Sequence, residues 1–143
     1  MGRSRRWSSS GNSGALPVKI IFDASALLAI LRNEPGTDVA LAHLGNAAMT
    51  TVNLCEVATK LIAGGDQLAA TITKIGAFGL EVLPVNIDLC WRAAVLRLAT
   101  KPFGLSLGDR ICIALAEREN CPVLTGDRNW AVAGLKIPVV LIR

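Results

Sequence analysis

Four carboxylates fall at strand ends or helix starts, the positions that an α/β domain brings to one edge of its sheet. Asp23 directly follows an apolar, β-branched run, and Asp127 follows a second such run after a single glycine. Asp109 and Glu56 each fall in the first or second turn of a predicted helix. The carboxyl ends of parallel strands and the amino ends of the helices that follow them share one edge of a sheet. We therefore predict that all four side chains lie along one edge of the domain.

The chemistry of such a cluster is that of a hard metal ion. Carboxylates held together repel each other unless cations are present, and Mg²⁺ or Mn²⁺ prefers oxygen ligands. Beside a phosphodiester, such an ion polarises the phosphoryl oxygen and activates a water. A nucleophilic triad would need His43, the one histidine, which lies within an apolar helical stretch and is better interpreted as structural. The pattern favours metal-dependent phosphodiester hydrolysis.

Each acid taken singly also has a simpler explanation. Asp23 suits a helix N-cap, and Asp127 suits an Asx turn. The pairs Asn53–Glu56 and Ser106–Asp109 have the spacing of capping boxes. A metal site is favoured because all four acids are predicted to lie on the same edge of the domain.

The elements that must position these acids alternate along the chain. Apolar runs of strand length separate stretches with helical spacing of apolar residues, which predicts parallel β–α units with helices on both faces of one sheet. We predict a three-layer α/β/α domain with a mostly parallel sheet. The predicted strands are 18–22, 47–50, 81–85, 122–126 and 138–142. The predicted helices are 24–32, 37–44, 52–63, 67–78, 87–99 and 107–118, and 129–135 is predicted to be a short helix or a turn.

Composition supports one compact domain and a separate tail. The 143 residues are 52% hydrophobic, as in a globular protein, and no apolar run reaches the roughly 20 residues that span a bilayer. Residues 1–17 carry three arginines and no acid, whereas the rest is nearly neutral. The basic pI therefore says little about nucleic-acid binding by the folded body. We predict a disordered basic tail over 1–17, whose composition also suits a transit peptide, and one domain over 18–143.

The four cysteines are widely spaced and contain no C-x-x-C pair. With a single histidine, this argues against a zinc site. We predict reduced cysteines that pack in the core of a cytoplasmic protein.

The sequences around the four acids resemble the acidic motifs of PIN-domain nucleases, most of all the VapC toxins of bacterial toxin–antitoxin pairs. FDASALLAIL surrounds Asp23, VNLCEV surrounds Glu56, LSLGDRICIALA surrounds Asp109, and PVLTGDRNW surrounds Asp127. The resemblance extends over residues 18–143 with the motifs in the family's order. The tail is the one departure, because these toxins commonly begin close to their first strand.

The resemblance implies a Mg²⁺- or Mn²⁺-dependent endoribonuclease that forms a homodimer and is inhibited by a cognate antitoxin, whose C-terminal segment crosses the acidic groove. It implies that the metal is bound by Asp23, Glu56, Asp109 and Asp127. Ser25 and Thr125 match small hydroxyl residues that flank the family's site, and Asn53 lies one helical turn from Glu56, where it can orient that carboxylate.

Basic residues near the acids suit an RNA substrate. Arg110 and Arg128 each follow a predicted ligand, and Lys101 lies in the loop before Asp109. We predict that they contact RNA phosphates, which positions a strand without reading its bases; surface cations paired with nearby acids are the alternative. Trp130 is expected to pack in the core rather than to stack on a base.

Other functions remain open from the sequence. A PIN nuclease in RNA maturation would carry the same four acids, and a catalytically silent RNA- or protein-binding module would keep the fold. Receiver and haloacid-dehalogenase domains also place an Asp after the first strand. The dehalogenase pattern is missing because Asp23-Ala24-Ser25 lacks the second Asp. The receiver's acidic pair before that strand is missing too.

Overall fold

A five-stranded, all-parallel sheet forms the centre of the computed structural model, which describes residues 19–143. The strands lie in the order β3-β2-β1-β4-β5, and Ile21 at the centre aligns with Ala48 on one side and Val123 on the other. The strands are β1 (Ile20–Phe22), β2 (Ala47–Thr50), β3 (Glu81–Leu83), β4 (Val123–Thr125) and β5 (Val139–Leu141). β2 has the predicted bounds, and the other four strands are present but shorter than predicted. β3 stops before Pro84, which has no N–H for the ladder.

Helices cover both faces of the sheet. They are α1 (Ala24–Leu31), α2 (Thr37–His43), α3 (Thr51–Ala63), α4 (Leu68–Gly76), α5 (Ile87–Thr100), α6 (Leu107–Glu119) and α7 (Asn129–Val132), with short 3-10 turns at Leu44–Asn46 and Lys101–Phe103. Every predicted helix is present. The predicted three-layer α/β/α architecture is confirmed, and the sheet is wholly rather than mostly parallel.

The apolar run of β1 is continuous because the strand is buried on both faces. Ile20 and Phe22 belong to the core under α1–α4, whereas Ile21 belongs to the core under α5, α6 and α7. All three residues of β1 are at most 3% exposed. The sheet therefore gives rigid support to whatever follows its carboxyl edge.

The strand order reverses beside β1. From β1 the chain builds outward through β2 to β3, and it then crosses over to β4 on the other side of β1 and continues outward to β5. The loops after β1 and β4 consequently diverge, which leaves a crevice at the carboxyl edge where α/β proteins bind ligands. Asp23 and Asp127 follow these two strands.

Three further predictions concern the cysteines, the N-terminal tail and membrane-spanning helices. Cys112 and Cys121 are buried as predicted, but Cys55 and Cys90 are exposed, so the prediction of core packing is wrong for these two; all four are free thiols. Glu81 is buried in β3 and pairs with Lys19 at 3.4 Å. The predicted tail, 1–17, lies outside the described residues. Within residues 19–143, no helix has the length and apolarity needed to cross a bilayer.

Candidate active site

A groove of about 840 Å³ opens at the carboxyl edge of the sheet, between α1, α3 and the start of α6. Three of the four predicted acids line it. Asp23 comes from the end of β1, Glu56 from the second turn of α3, and Asp109 from the first turn of α6. The predicted meeting of carboxylates from distant parts of the sequence is therefore observed for these three.

Asp23 is held by two hydroxyl groups at the floor of the groove. It is only 6% exposed, and its Oδ2 accepts hydrogen bonds from Ser25 Oγ at 2.7 Å and Thr125 Oγ1 at 2.9 Å. Burial raises the pKa of Asp23, and the two hydroxyl donors oppose that rise. The hydroxyls in turn accept the N–H groups of Gly126 and Asp127. Ser25 and Thr125 thus tie Asp23 to the turn after β4.

Asp109 lines the groove and also forms a capping box with Ser106. Ser106 Oγ accepts the Asp109 N–H at 3.2 Å, and Asp109 Oδ2 accepts the Ser106 N–H at 2.8 Å. Burial raises the pKa of Asp109 to about 6 against the opposing hydrogen bonds from Ser106, and the nearby Asp23 and Glu56 carboxylates contribute to the rise. Asp109 can therefore serve both as a helix cap and as a site residue, because the cap uses only one of its two carboxylate oxygens.

Glu56 is positioned by two neighbours. Asn53 is fully buried and its Nδ2 donates to Glu56 Oε1 at 2.7 Å, as expected for an orienting residue. The predicted capping box at Asn53 is wrong, because α3 begins earlier and Thr50 Oγ1 accepts the Asn53 N–H. On the other side lies Gly108, where a Cβ would collide with the Glu56 carboxylate. Glycine at this position leaves the space that the carboxylate occupies.

Asp127 does not line the groove. Its Oδ1 accepts the Asn129 N–H at 2.9 Å and its own N–H donates to Thr125 Oγ1. This is the Asx-turn geometry that the simpler interpretation predicted. Its connection to the groove runs through Thr125 to Asp23.

The basic residues predicted to contact RNA do not line the groove. Arg110 is only 9% exposed and its Nη1 donates to the Ala93 carbonyl at 2.8 Å, so it joins α6 to α5 and is not available to a phosphate. The helical period turns this side chain inward, one residue after a side chain that faces the groove. Arg128 and Lys101 are exposed, but outside the groove lining. Trp130 is buried in the core, as predicted.

Other cations line the groove, and the sequence interpretation missed them. They are Arg32 at the end of α1, Lys60 in α3 and Arg143 after β5. Arg32 was detectable, since positions 24, 28 and 32 follow one another along a single helix face. Arg143 was not, because its place depends on how β5 joins the sheet.

The donor set fits a hard divalent cation. The predicted acids in the groove offer carboxylate oxygens, Glu34 adds a further one, and no histidine lines the groove. One thiol, that of the exposed Cys55, is among the lining side chains, and a single thiol without histidine or a second cysteine does not make a soft-metal site. In the part of the chain that the structure describes, no three His, Cys, Asp or Glu side chains are close enough to hold an ion jointly. Mg²⁺ typically binds one or two carboxylates and keeps several waters. The acids of the groove can supply those carboxylates.

The comparisons with known proteins agree with this fold. The family model of the PIN domain matches residues 20–135, whereas no curated protein sequence matches the chain. Among solved structures, the fold is similar to a toxin–antitoxin complex from Klebsiella pneumoniae (TM-score 0.68, 19% identity, 87% of this chain and 98% of that one). It is also similar to a DNA-bound VapBC from Salmonella typhimurium (TM-score 0.66, 15% identity, 89% and 100%). A third similar structure is a member of the VapBC family of toxin–antitoxin systems from Mycobacterium tuberculosis (TM-score 0.59, 23% identity, 89% and 99%). Since the family model spans most of the chain and the fold agrees with it, the protein belongs to the PIN domain family.

Proposed function

We propose that this protein is a divalent-metal-dependent endoribonuclease that hydrolyses RNA phosphodiester bonds. The observation that carries the proposal is the meeting of Asp23, Glu56 and Asp109, from three separate elements, in one groove at the switch point of the sheet. The raised pKa of Asp109 reflects burial together with the other two carboxylates. A domain keeps such mutually repelling groups where a cation offsets their charge.

In this proposal one or two of the carboxylates of Asp23, Glu56 and Asp109 bind Mg²⁺ or Mn²⁺ directly and the remaining contact runs through water. Asp127 supports the site from the turn after β4, through Thr125. The bound cation supplies polarisation of the phosphoryl oxygen and a water of lowered pKa. The chain's own groups fix the ligands: two hydroxyls hold Asp23, the Asn53 amide holds Glu56, and the capping box holds Asp109. The three residues line the groove, which is where the substrate phosphodiester would bind.

We further propose that the enzyme is the toxin of a type II toxin–antitoxin pair, active in the cytoplasm and inhibited by a cognate antitoxin. The support is the resemblance of the four motifs to VapC toxins and the similarity of fold to several toxin–antitoxin complexes. A polypeptide that covers the groove would exclude RNA from the three acids. The groove is open, and most of the side chains that line it are exposed or half-buried, so such a segment has access to it.

A homodimer is the remaining part of the proposal. It is supported by an apolar stripe on α5 whose members are spaced along one helix face and are between 67% and 88% exposed: Ile87, Trp91, Val95 and Leu98. A monomer rarely leaves a row of large apolar side chains in water. Val95→Glu should convert a dimer into a monomer in analytical ultracentrifugation, and a wild-type protein that sediments as a monomer would contradict this part.

The nuclease proposal is tested by cleavage of a labelled RNA pool with Mg²⁺, with Mn²⁺ and with EDTA. We expect cleavage that requires metal and is abolished in Asp23→Asn. Asp38→Asn is the matched control, because it removes an exposed carboxylate of α2 that does not line the groove. Equal cleavage by Asp23→Asn and wild type would refute the site. Metal binding without cleavage under any condition would instead favour the silent binding module.

The toxin proposal needs a separate experiment in cells. Expression in a bacterial host should arrest growth with the wild type and not with Asp109→Asn, and co-expression of the antitoxin should restore growth. Cleavage in vitro with no growth arrest, and with no inhibitory partner in the same operon, would favour an enzyme of RNA maturation.

A further inference from the structure

Three cations line the same groove as the acids and pair with none of them. Arg32, Lys60 and Arg143 are exposed, and within residues 19–143 none of them forms an ion pair. This is so although the groove also contains acids: Asp23, Glu34, Glu56 and Asp109. Positive charges beside carboxylates, yet not bonded to them, leave their donors available to an anionic ligand.

Arg143 has the most defined position of the three. Its Nη1 donates to the Pro35 carbonyl at 2.9 Å. Its guanidinium lies on the backbone of Gly126, where a Cβ would stand 2.8 Å from Nη2 and 2.9 Å from Cζ. The Gly126 N–H is bound by Ser25 Oγ, which itself donates to Asp23. The guanidinium is thus anchored on the turn that supports the carboxylate at the floor of the groove, with its other N–H groups free of ion pairs.

Arg32 and Lys60 lie farther along the groove. Helices α1 and α3 both begin at the carboxyl edge of the sheet and run back over the same face. At 1.5 Å per residue, Arg32 lies about 12 Å along α1 from its first residue, and Lys60 lies about 6 Å beyond Glu56. Along these two helices the predicted acids therefore lie where the helices begin, and the two cations lie one to two turns farther on, with Glu34 the one acid beyond Arg32 in the groove lining.

We propose that Arg143, Arg32 and Lys60 bind the phosphates of single-stranded RNA on one side of the cleaved bond. The acids take the phosphate that is cleaved, and the three cations hold neighbouring phosphates of the same strand. Contacts of this kind position a strand without reading its bases, and Arg143, with its oriented guanidinium, sets the direction in which the strand leaves the site. The inference rests on the proposed ribonuclease function and replaces Arg110 as a phosphate contact.

The test measures how RNA binding depends on salt. A fluorescein-labelled single-stranded RNA is titrated with the full chain in Asp109→Asn form, with Mg²⁺ present, at several KCl concentrations. For single strands, each phosphate contact contributes about 0.7 to the slope of log Kd against log salt. Arg143→Gln should lower that slope by about 0.7, and the triple variant Arg32→Gln/Lys60→Gln/Arg143→Gln by about 2. Each lost contact should weaken binding about fivefold at about 0.1 M KCl.

Two controls separate charge from folding. Lys136→Gln removes an exposed cation before β5, away from the groove, and should leave the slope unchanged. Arg143→Lys should keep most of the slope because the charge remains. In otherwise wild-type enzyme, Arg143→Gln should raise KM with kcat nearly unchanged, which a variant with a damaged fold would not show.

The outcomes distinguish this inference from the proposed function. A reduced slope without cleavage by the wild type would support the basic end of the groove and refute the nuclease activity. Normal cleavage with an unchanged slope in the triple variant would refute the inference alone. The three cations would then be assigned to binding a partner polypeptide. Absence of RNA binding by the starting protein would refute the inference, and the nuclease proposal would be decided separately by cleavage with the wild type.

Discussion

The two ends of the groove are built in different ways. At the acidic end, each carboxylate begins a helix or follows a strand and is fixed by named donors, such as Ser25 and Thr125 for Asp23. At the basic end, the cations are long, exposed side chains, and only Arg143 has a hydrogen bond that orients it. The first arrangement suits ligands that must be placed within fractions of an ångström. The second suits contacts to a flexible anionic chain. We therefore expect changes at the acidic end to act on kcat and changes at the basic end to act on KM.

The largest effect is expected from Asp109→Asn. The substitution removes a carboxylate from the groove with little change of shape, so we expect kcat to fall by more than the roughly 10–100-fold that loss of a supporting contact costs. RNA binding should persist, since the cations are intact. The proposed division between the acidic and basic ends of the groove is wrong if this variant cleaves at the wild-type rate or if it loses RNA binding instead.

Asn53→Ala tests whether a supporting residue acts through the acidic end. Without the 2.7 Å bond from Asn53 Nδ2, Glu56 loses its orienting donor, and we expect kcat to fall by about 10–100-fold. Lys60→Gln, in the same helix but at the basic end, should change KM and spare kcat. Similar kinetic profiles for the two variants would show that the ends of the groove are not separable.

Gly108→Ala separates activity from stability. The added methyl would meet the Glu56 carboxylate and displace it, so we expect kcat to fall by about tenfold. Alanine also favours a helix over glycine by about 1 kcal/mol, so the melting temperature should stay equal or rise. A loss of both activity and stability would indicate a backbone shift in α6 rather than a displaced ligand.

The smallest effect concerns pH and the metal-free protein. The pKa of Asp109 in the folded state is about 6, above its ordinary value of 3.8, so the folded protein holds this proton more tightly than the unfolded chain does. The resulting stabilisation is present below about pH 4 and is lost as the pH rises through 6. Asp109→Asn should therefore raise the melting temperature relative to the wild type by roughly 2–4 °C at pH 7.5 and by less at pH 4.5. Calorimetry in EDTA at both pH values measures this difference. An equal effect at both pH values would mean that the carboxylate is not destabilising, and saturating Mg²⁺ should remove the effect.

Much of the site was predictable because its residues are tied to local signals. The acids at 23, 56 and 109 follow a buried strand or begin an amphipathic helix, and the carboxyl edge of a parallel sheet collects such positions whatever the loops between them. Asn53 was predictable from its distance of one helical turn to Glu56. The position of Asp127 was predicted less well. Its side chain turns to the Asn129 N–H, and the choice between a local turn and the groove depends on small rotations after β4.

The sequence by itself determined the layered α/β fold, the order of elements and three of the acids that meet, because hydrophobic period, caps and strand ends are local properties. Only the tertiary structure decided that Arg110 is kept out of the groove and that Arg143 lines it. Arg110 follows Asp109 in sequence, yet the helical turn carries it into the contact with α5, where it binds the Ala93 carbonyl. Arg143 lies far from every acid in sequence, yet pairing of β5 with β4 brings it onto Gly126. Long charged side chains follow the surface that the packed elements create, and that surface is not encoded near them in the chain.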